Sequence, residues 1–77
     1  MEISDFLKKF GGIFEETAPE TILANTRFKE IPEWSSLLVL STIVLADEEY
    51  GVEIDGDEIR QLTTVEDIFN LIKGKVG

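Results

Sequence analysis

Apolar residues recur at helical spacing in three stretches of the chain. In the first, Ile3, Phe6, Leu7, Phe10, Ile13 and Phe14 follow one face of an amphipathic helix. Ser4 is placed to cap it, and Asp5 suits the positive end of the helix dipole. Gly11-Gly12 weakens its last turns and leaves its end open. In the second stretch, Leu37, Leu40 and Val44 form one stripe and Val39, Ile43, Ala46 and Tyr50 the next, together a wide apolar face. This predicts a helix with Ser35 as N-cap, Ser36 as first helical residue and Gly51 as stop. The β-branched Val39, Thr42, Ile43 and Val44 are mediocre helix formers, so a strand competes; length and the acidic run Asp47-Glu48-Glu49 before Tyr50-Gly51 favour the helix. The third stretch carries Val65, Ile68, Phe69 and Ile72. It is introduced by Thr63-Thr64-Val65-Glu66, a capping box with Thr63 as cap and Glu66 three residues on. Lys73 and Lys75 stand at its C-terminal end, where the dipole favours cations.

The segments between these helices are less periodic. Residues 15 to 34 show no clear pattern and are punctuated by Pro19 and Pro32. A loop of that length is unusual in a compact fold. Ile22, Leu23, Phe28 and Ile31 are placed to pin it to the helices, with a short helical turn after Pro19. Val52-Glu53-Ile54 alternates in an extended manner, and residues 57 to 62 suit a short helix of one or two turns. The expected fold class is all-α: a small bundle of three longer helices plus one short helix, with a long first loop.

At 77 residues the chain has room for one domain, residues 1 to 77, with a core worth only about 3–5 kcal/mol of net stability. No cysteine is present, which removes disulfides, thiol nucleophiles and thiolate metal sites. The N-terminal residues lack the basic and apolar regions of a signal peptide, and the longest apolar run is too short to span a bilayer, so a cytoplasmic protein is expected. The formal net charge is −9. From Glu30 to Ile59 there is no Lys or Arg, while Glu30, Glu33, Asp47, Glu48, Glu49, Glu53, Asp55, Asp57 and Glu58 all fall there. That field disfavours nucleic acid and anionic membranes, and suits either a solubilising surface or the basic patches of protein partners.

The chemistry available to these residues is narrow. Serine nucleophiles need a base, and the chain has no histidine and no lysine or arginine near Ser36 in sequence. The acids are spread along helix ends and loops and do not form a catalytic pair by spacing, so no enzymatic activity and no catalytic residue is expected. Asp55-Gly56-Asp57-Glu58 has the opening of a calcium loop, but Ile59 and Arg60 occupy the next positions, so no metal site is expected. What remains is Ser36. Its hydroxyl lies at the positive end of a helix dipole, where free N–H groups suit a phosphate ester. Two ordinary capping hydroxyls, Ser35 and Ser36, are the simpler reading of the same pattern.

From Phe6 to Ile72 the chain resembles the acyl carrier proteins and, more broadly, the phosphopantetheine-attachment domains. The resemblance rests on Ser36-Leu37 at a helix start, on Asp47-Glu48-Glu49-Tyr50-Gly51-Val52-Glu53-Ile54, and on Thr63-Thr64-Val65-Glu66-Asp67. The phrase from Ile31 to Leu37 looks like that of freestanding carriers with a Trp-x-Ser-Leu attachment motif. The resemblance implies a 4′-phosphopantetheine arm on Ser36, transferred from coenzyme A by a phosphopantetheinyl transferase and holding acyl groups as thioesters. It implies docking of acyl-loading and acyl-transferring enzymes, through basic patches, on Leu37, Val44, Asp47 and Glu48. It implies an acyl pocket lined by Ile54, Ile59 and Leu62, and a monomeric carrier. The family's Asp-Ser-Leu reads Ser35-Ser36-Leu37 here, and Leu38 and Ser41 stand where many fatty-acid carriers have acids. The first departure implies slower modification or a matched transferase, and the second points to a dedicated biosynthetic pathway. An unmodified acidic helical module that only binds partners, and an aminoacyl or peptidyl carrier, remain the alternatives. Trp34 is expected to pack against the loop or to stand partly exposed beside the arm.

Overall fold

The computed structural model describes residues 1–76, and helices dominate it. Helix α1 spans Ile3–Gly11, α2 Ser36–Tyr50, α3 Gly56–Arg60 and α4 Val65–Val76. Two single 3₁₀ turns, Pro19–Thr21 and Phe28–Glu30, interrupt the connection between α1 and α2. The bundle of three longer helices and a short one is as expected, including the turn after Pro19.

Helix α1 starts earlier than its presumed cap. Glu2 is the N-cap and makes no side-chain capping bond, so Ser4 sits inside the first turn. The helix ends at Gly11, with the Gly12 amide closing on the carbonyls of Lys8 and Lys9. Ile13 and Phe14 therefore lie beyond it, although Phe14 still turns into the core. Phe6 and Phe10 are fully buried and stacked, with ring centroids 5.7 Å apart. Phe6 also meets Phe69 of α4 at 5.8 Å and Tyr50 of α2 at 6.2 Å. Offset and tilted rings at such separations attract beyond their area burial.

Helix α2 is apolar nearly all round, and of the two stripes its pattern suggested, Val39, Ile43, Ala46 and Tyr50 pack inward while Leu37, Leu40 and Val44 do not. Leu38, Thr42 and Ala46 are buried, while Leu37, Leu40 and Val44 are 69%, 56% and 44% exposed. The reason is that Leu38, Val39, Thr42, Ile43, Leu45 and Ala46 supply the inward face, and burial of Thr42 is made tolerable by its hydroxyl donating to the Leu38 carbonyl at 2.8 Å. At the other end Gly51 adopts φ 65°, and the amides of Gly51 and Val52 close on the carbonyls of Asp47 and Ala46. This left-handed turn is open to glycine at little cost.

The remaining helix starts are set by side-chain caps. Asp55 caps α3, its carboxylate accepting from the Glu58 amide at 2.8 Å while Glu58 accepts from the Asp55 amide at 3.1 Å. That reciprocal box starts the helix one residue before the expected Asp57. In α4 the box lies one residue later than Thr63 and Glu66. The Thr64 hydroxyl accepts from the Asp67 amide at 3.2 Å, and the Asp67 carboxylate accepts from the amides of Thr63 and Thr64 at 3.0 and 2.9 Å.

The long first loop is ordered by burial and by hydrogen bonds. Ile22, Phe28 and Ile31 enter the core, whereas Leu23 stays 55% exposed and pins nothing. The amides of Val65 and Glu66 donate to the carbonyls of Thr26 and Ala24, which ties the loop to the start of α4.

Candidate functional site

The approach to α2 is fixed on two sides. Trp34 is half-buried among Phe28, Phe10 and Phe14, with ring centroids at 4.9, 6.3 and 6.3 Å. It packs against the loop, as one of its two readings held. Glu33, beside it, is held by residues far away in sequence. Its carboxylate accepts from the amides of Glu15, Glu16 and Thr17 at 2.8, 3.1 and 2.9 Å and from the Thr17 hydroxyl at 2.8 Å. Consecutive amides converging on one carboxylate form an anion nest. They stabilise its charged form, so the Glu33 pKa lies below its ordinary value, chiefly through the Glu15 amide and then the Thr17 hydroxyl and the other amides.

A pH dependence follows. A carboxyl whose folded pKa is lowered stabilises the fold above its unfolded pKa, and that stability is lost as pH falls through the folded value. Asp67, lowered by the amides of Thr64 and Thr63, and Glu58, lowered by Lys75 and the Asp55 amide, have the same sign. Acidification also relieves the net negative repulsion, so the comparison with a Glu33→Gln variant isolates the nest. The melting temperature of wild type should exceed that of the variant above pH 4.5, the ordinary glutamate value, and the gap should close as pH drops further. A gap unchanged with pH would show that the nest does not depend on the carboxylate charge.

Two residues on from this clamp, Ser35 is the N-cap of α2 in extended conformation, but its side chain makes no capping hydrogen bond. Its carbonyl accepts from the amides of Leu38 and Val39 at 3.0 Å each. The helix thus opens without a side-chain acceptor on its first amides, and Ser36, its first residue, is exposed. At 3.6 residues per turn, Ser36, Leu40, Ile43 and Asp47 fall on one stripe. Leu37 and Val44 flank it and form an exposed apolar strip together with Leu40, and Asp47 and Glu48 are exposed where the strip ends. Glu49 differs, being paired with Lys9 at 3.3 Å. Leu40 was not singled out as a docking residue; on a helix apolar all round, only the burial pattern distinguishes it.

The same stripe leads to a cleft of about 500 Å³. Ile43, Val44 and Asp47 of α2 form one wall, and Glu53, Ile54 and Asp55 of the connection to α3 form another. Glu58 of α3 and Lys75 of α4 complete it. Of the three residues expected to line an acyl pocket, Ile54 borders this cleft. Ile59 is buried in the core and Leu62 is half-buried against it, and neither borders the cleft. Leu38, which stands where many fatty-acid carriers have an acid, is 5% exposed and belongs to the core; Ser41, the other such position, is partly accessible. Among the described residues no cluster of three or more potential metal ligands occurs, and no helix is long and apolar enough to cross a membrane.

The small helical bundle thus places an exposed hydroxyl at a helix start, an apolar strip beside it and a cleft along the same face. The chain is 33% identical to an acyl carrier protein of Thermosynechococcus vestitus, over 100% of this chain and 99% of the relative. It belongs to the acyl carrier protein family, which points to a carrier and not a catalyst. No family model matches the chain, and no solved structure matches it.

Proposed function

We propose that this chain, as one carrier unit, holds acyl groups as thioesters on a 4′-phosphopantetheine arm esterified to Ser36 and presents them to the enzymes of a dedicated biosynthetic pathway. The observation that carries this reading is the exposed Ser36 hydroxyl at an α2 N-terminus whose first amides no side chain caps. A phosphodiester there would face N–H donors and the positive end of the helix dipole, so the residues present fit the group. When bound, the arm supplies the thiol that this cysteine-free chain lacks. The Ser36 stripe rises along α2 by ~10 Å to Ile43 and ~16 Å to Asp47, within reach of an arm of roughly fourteen bonds, ~17 Å when extended. The cleft bordered by Ile43 and Ile54 is then the place where a short acyl chain finds apolar contact.

The partners are a phosphopantetheinyl transferase and acyl-handling enzymes with basic docking patches. Leu37, Leu40 and Val44 offer them apolar contact, and Asp47 and Glu48 offer charge. The protein works as a cytoplasmic monomer. With Ser35 in place of the family's aspartate, modification is slower or requires a matched transferase. The test is intact mass. Incubation with coenzyme A and a transferase should add one phosphopantetheine, and the protein isolated from its own host should carry it. An unchanged mass with several transferases, one of them from the same organism, would leave the chain an unmodified binding module.

Docking on the exposed strip has its own expected result. Leu40→Glu should weaken binding to the transferase by about ten-fold or more, as expected when one apolar contact is lost from an interface. Because Leu40 is outside the core, the melting temperature should move by no more than about 4 °C. Unchanged affinity, measured by titration calorimetry, would move the docking surface off this strip.

A further inference from the structure

Lys75 does more than end α4. Its ammonium donates to the Glu53 carbonyl at 3.0 Å and to Glu58, with carboxylate oxygens at 3.1 and 2.9 Å. One cation therefore joins three elements: the end of α4, the connection from α2 to α3, and the first turn of α3. Glu58 is committed twice, since the same carboxylate closes the capping box that starts a five-residue helix. All of these residues border the cleft.

We propose that Lys75 is a specificity-determining residue of the cleft, stapling its walls so that only a short, neutral acyl chain gains shelter. The inference rests on the carrier reading for its cargo, and on the contacts above for its mechanism. The apolar floor consists of Ile43, Val44 and Ile54. The same cleft is lined by the Lys75 side chain and the carboxylates of Asp47 and Glu58, whose hydration or pairing an acyl chain cannot replace. The floor can lengthen only if α3 or the end of α4 moves, and either motion breaks contacts to the one ammonium. Pairing with Glu58 and the Glu53 carbonyl draws the cation to the cleft, while its methylene stem can lie along the cleft wall. The excess of acids around the floor also disfavours a cargo ending in a carboxylate.

The test compares wild type with Lys75→Met, which keeps an apolar stem without the charge, and with Lys75→Arg, which retains donors for both acceptors. Hexanoyl and dodecanoyl pantetheine are attached to Ser36 from the corresponding coenzyme A thioesters, and attachment is confirmed by mass. Cleavage by hydroxylamine then reports shelter of the thioester. In wild type and Lys75→Arg the sheltered hexanoyl thioester should be cleaved more slowly than the dodecanoyl one. In Lys75→Met, dodecanoyl should be cleaved at least about three-fold more slowly than hexanoyl. The same rate ratio in Lys75→Met and wild type, with both folded by circular dichroism, overturns the staple. Failure of attachment overturns the carrier reading instead. In that event the methyl NMR signals of Ile43 and Ile54, with hexanoyl and dodecanoyl N-acetylcysteamine added to the unmodified protein, decide the staple. A preference for dodecanoyl that appears only in Lys75→Met supports it, and identical responses overturn it.

Discussion

Ser36→Ala should abolish attachment of phosphopantetheine completely and leave the melting temperature almost where it was. Each half of that expectation has a separate cause. The ester needs a hydroxyl oxygen, and alanine has none, so no residual mass addition is expected at any transferase concentration. The fold should tolerate the change because Ser36 is exposed at the first position of α2. Alanine is a strong helix former, and loss of an exposed hydroxyl leaves no buried group unpaired. A surface change of this kind is worth within about 0.5 kcal/mol. Ser35→Ala is the informative partner. Ser35 occupies the N-cap without using its side chain as a cap, so its replacement should cost less than the ~1 kcal/mol usual for a capping serine. Attachment should survive in Ser35→Ala, slowed only as far as the transferase contacts that hydroxyl. Intact mass and thermal melts on both variants check the pair. Addition of the full mass to Ser36→Ala would place the arm on another residue and remove the carrier site as described.

The start of α2 was legible in the sequence because Ser35, Ser36 and Leu37 form a local pattern there, with Ser35 at the N-cap and Ser36 as the first helical residue; the different role given to Ser36 came from the family resemblance. Other features depend on residues distant in the chain and left no local trace. The Glu33 nest joins positions separated by 16 to 18 residues, and no spacing rule marks it. The Lys75 contacts with Glu53 and Glu58 span 22 and 17 residues. Helix α2 was legible as a helix, and so was the inward stripe of Val39, Ile43, Ala46 and Tyr50, but not the exposure of Leu37, Leu40 and Val44. With apolar residues on almost every side, periodicity does not choose between stripes, and only packing against α1, α3 and α4 selects Leu38 and Thr42 as well. The cap of α4 was ambiguous for another reason. Thr63 with Glu66 and Thr64 with Asp67 both satisfy the spacing of a capping box. The later pair wins where Val65, fully buried, donates its amide to the Thr26 carbonyl of the loop. The box of α3 was hidden inside Asp55-Gly56-Asp57, a run with turn chemistry, until the reciprocal bonds to Glu58 defined it.

Phe10→Ala should unfold most of the population at 37 °C. Phe10 is fully buried and is the junction of the aromatic chain. It stacks on Phe6 at 5.7 Å, meets Phe14 edge-on at 5.3 Å and lies 6.3 Å from Trp34. Truncating a buried phenylalanine to alanine costs about 3–5 kcal/mol. That matches the whole net stability of about 3–5 kcal/mol expected for a single core of this size. The chain also has no disulfide to limit the unfolded ensemble. Circular dichroism should show loss of the cooperative melt, and Trp34, the single tryptophan, should report exposure by a red-shifted emission. Leu23→Ala is the control: at 55% exposure it should change stability by no more than about 0.5 kcal/mol. A cooperative, near-wild-type melt in Phe10→Ala would show that the cavity closes or that other packing carries the core. The variant also separates two ways of losing attachment. In Phe10→Ala the serine is intact, but the clamp and the rings that present it are gone, so modification and melt should fail together. In Ser36→Ala the melt should survive while modification fails. If Phe10→Ala were modified at the wild-type rate while unfolded, the transferase would be reading the local Trp-Ser-Ser-Leu phrase, and not the folded mouth of α2.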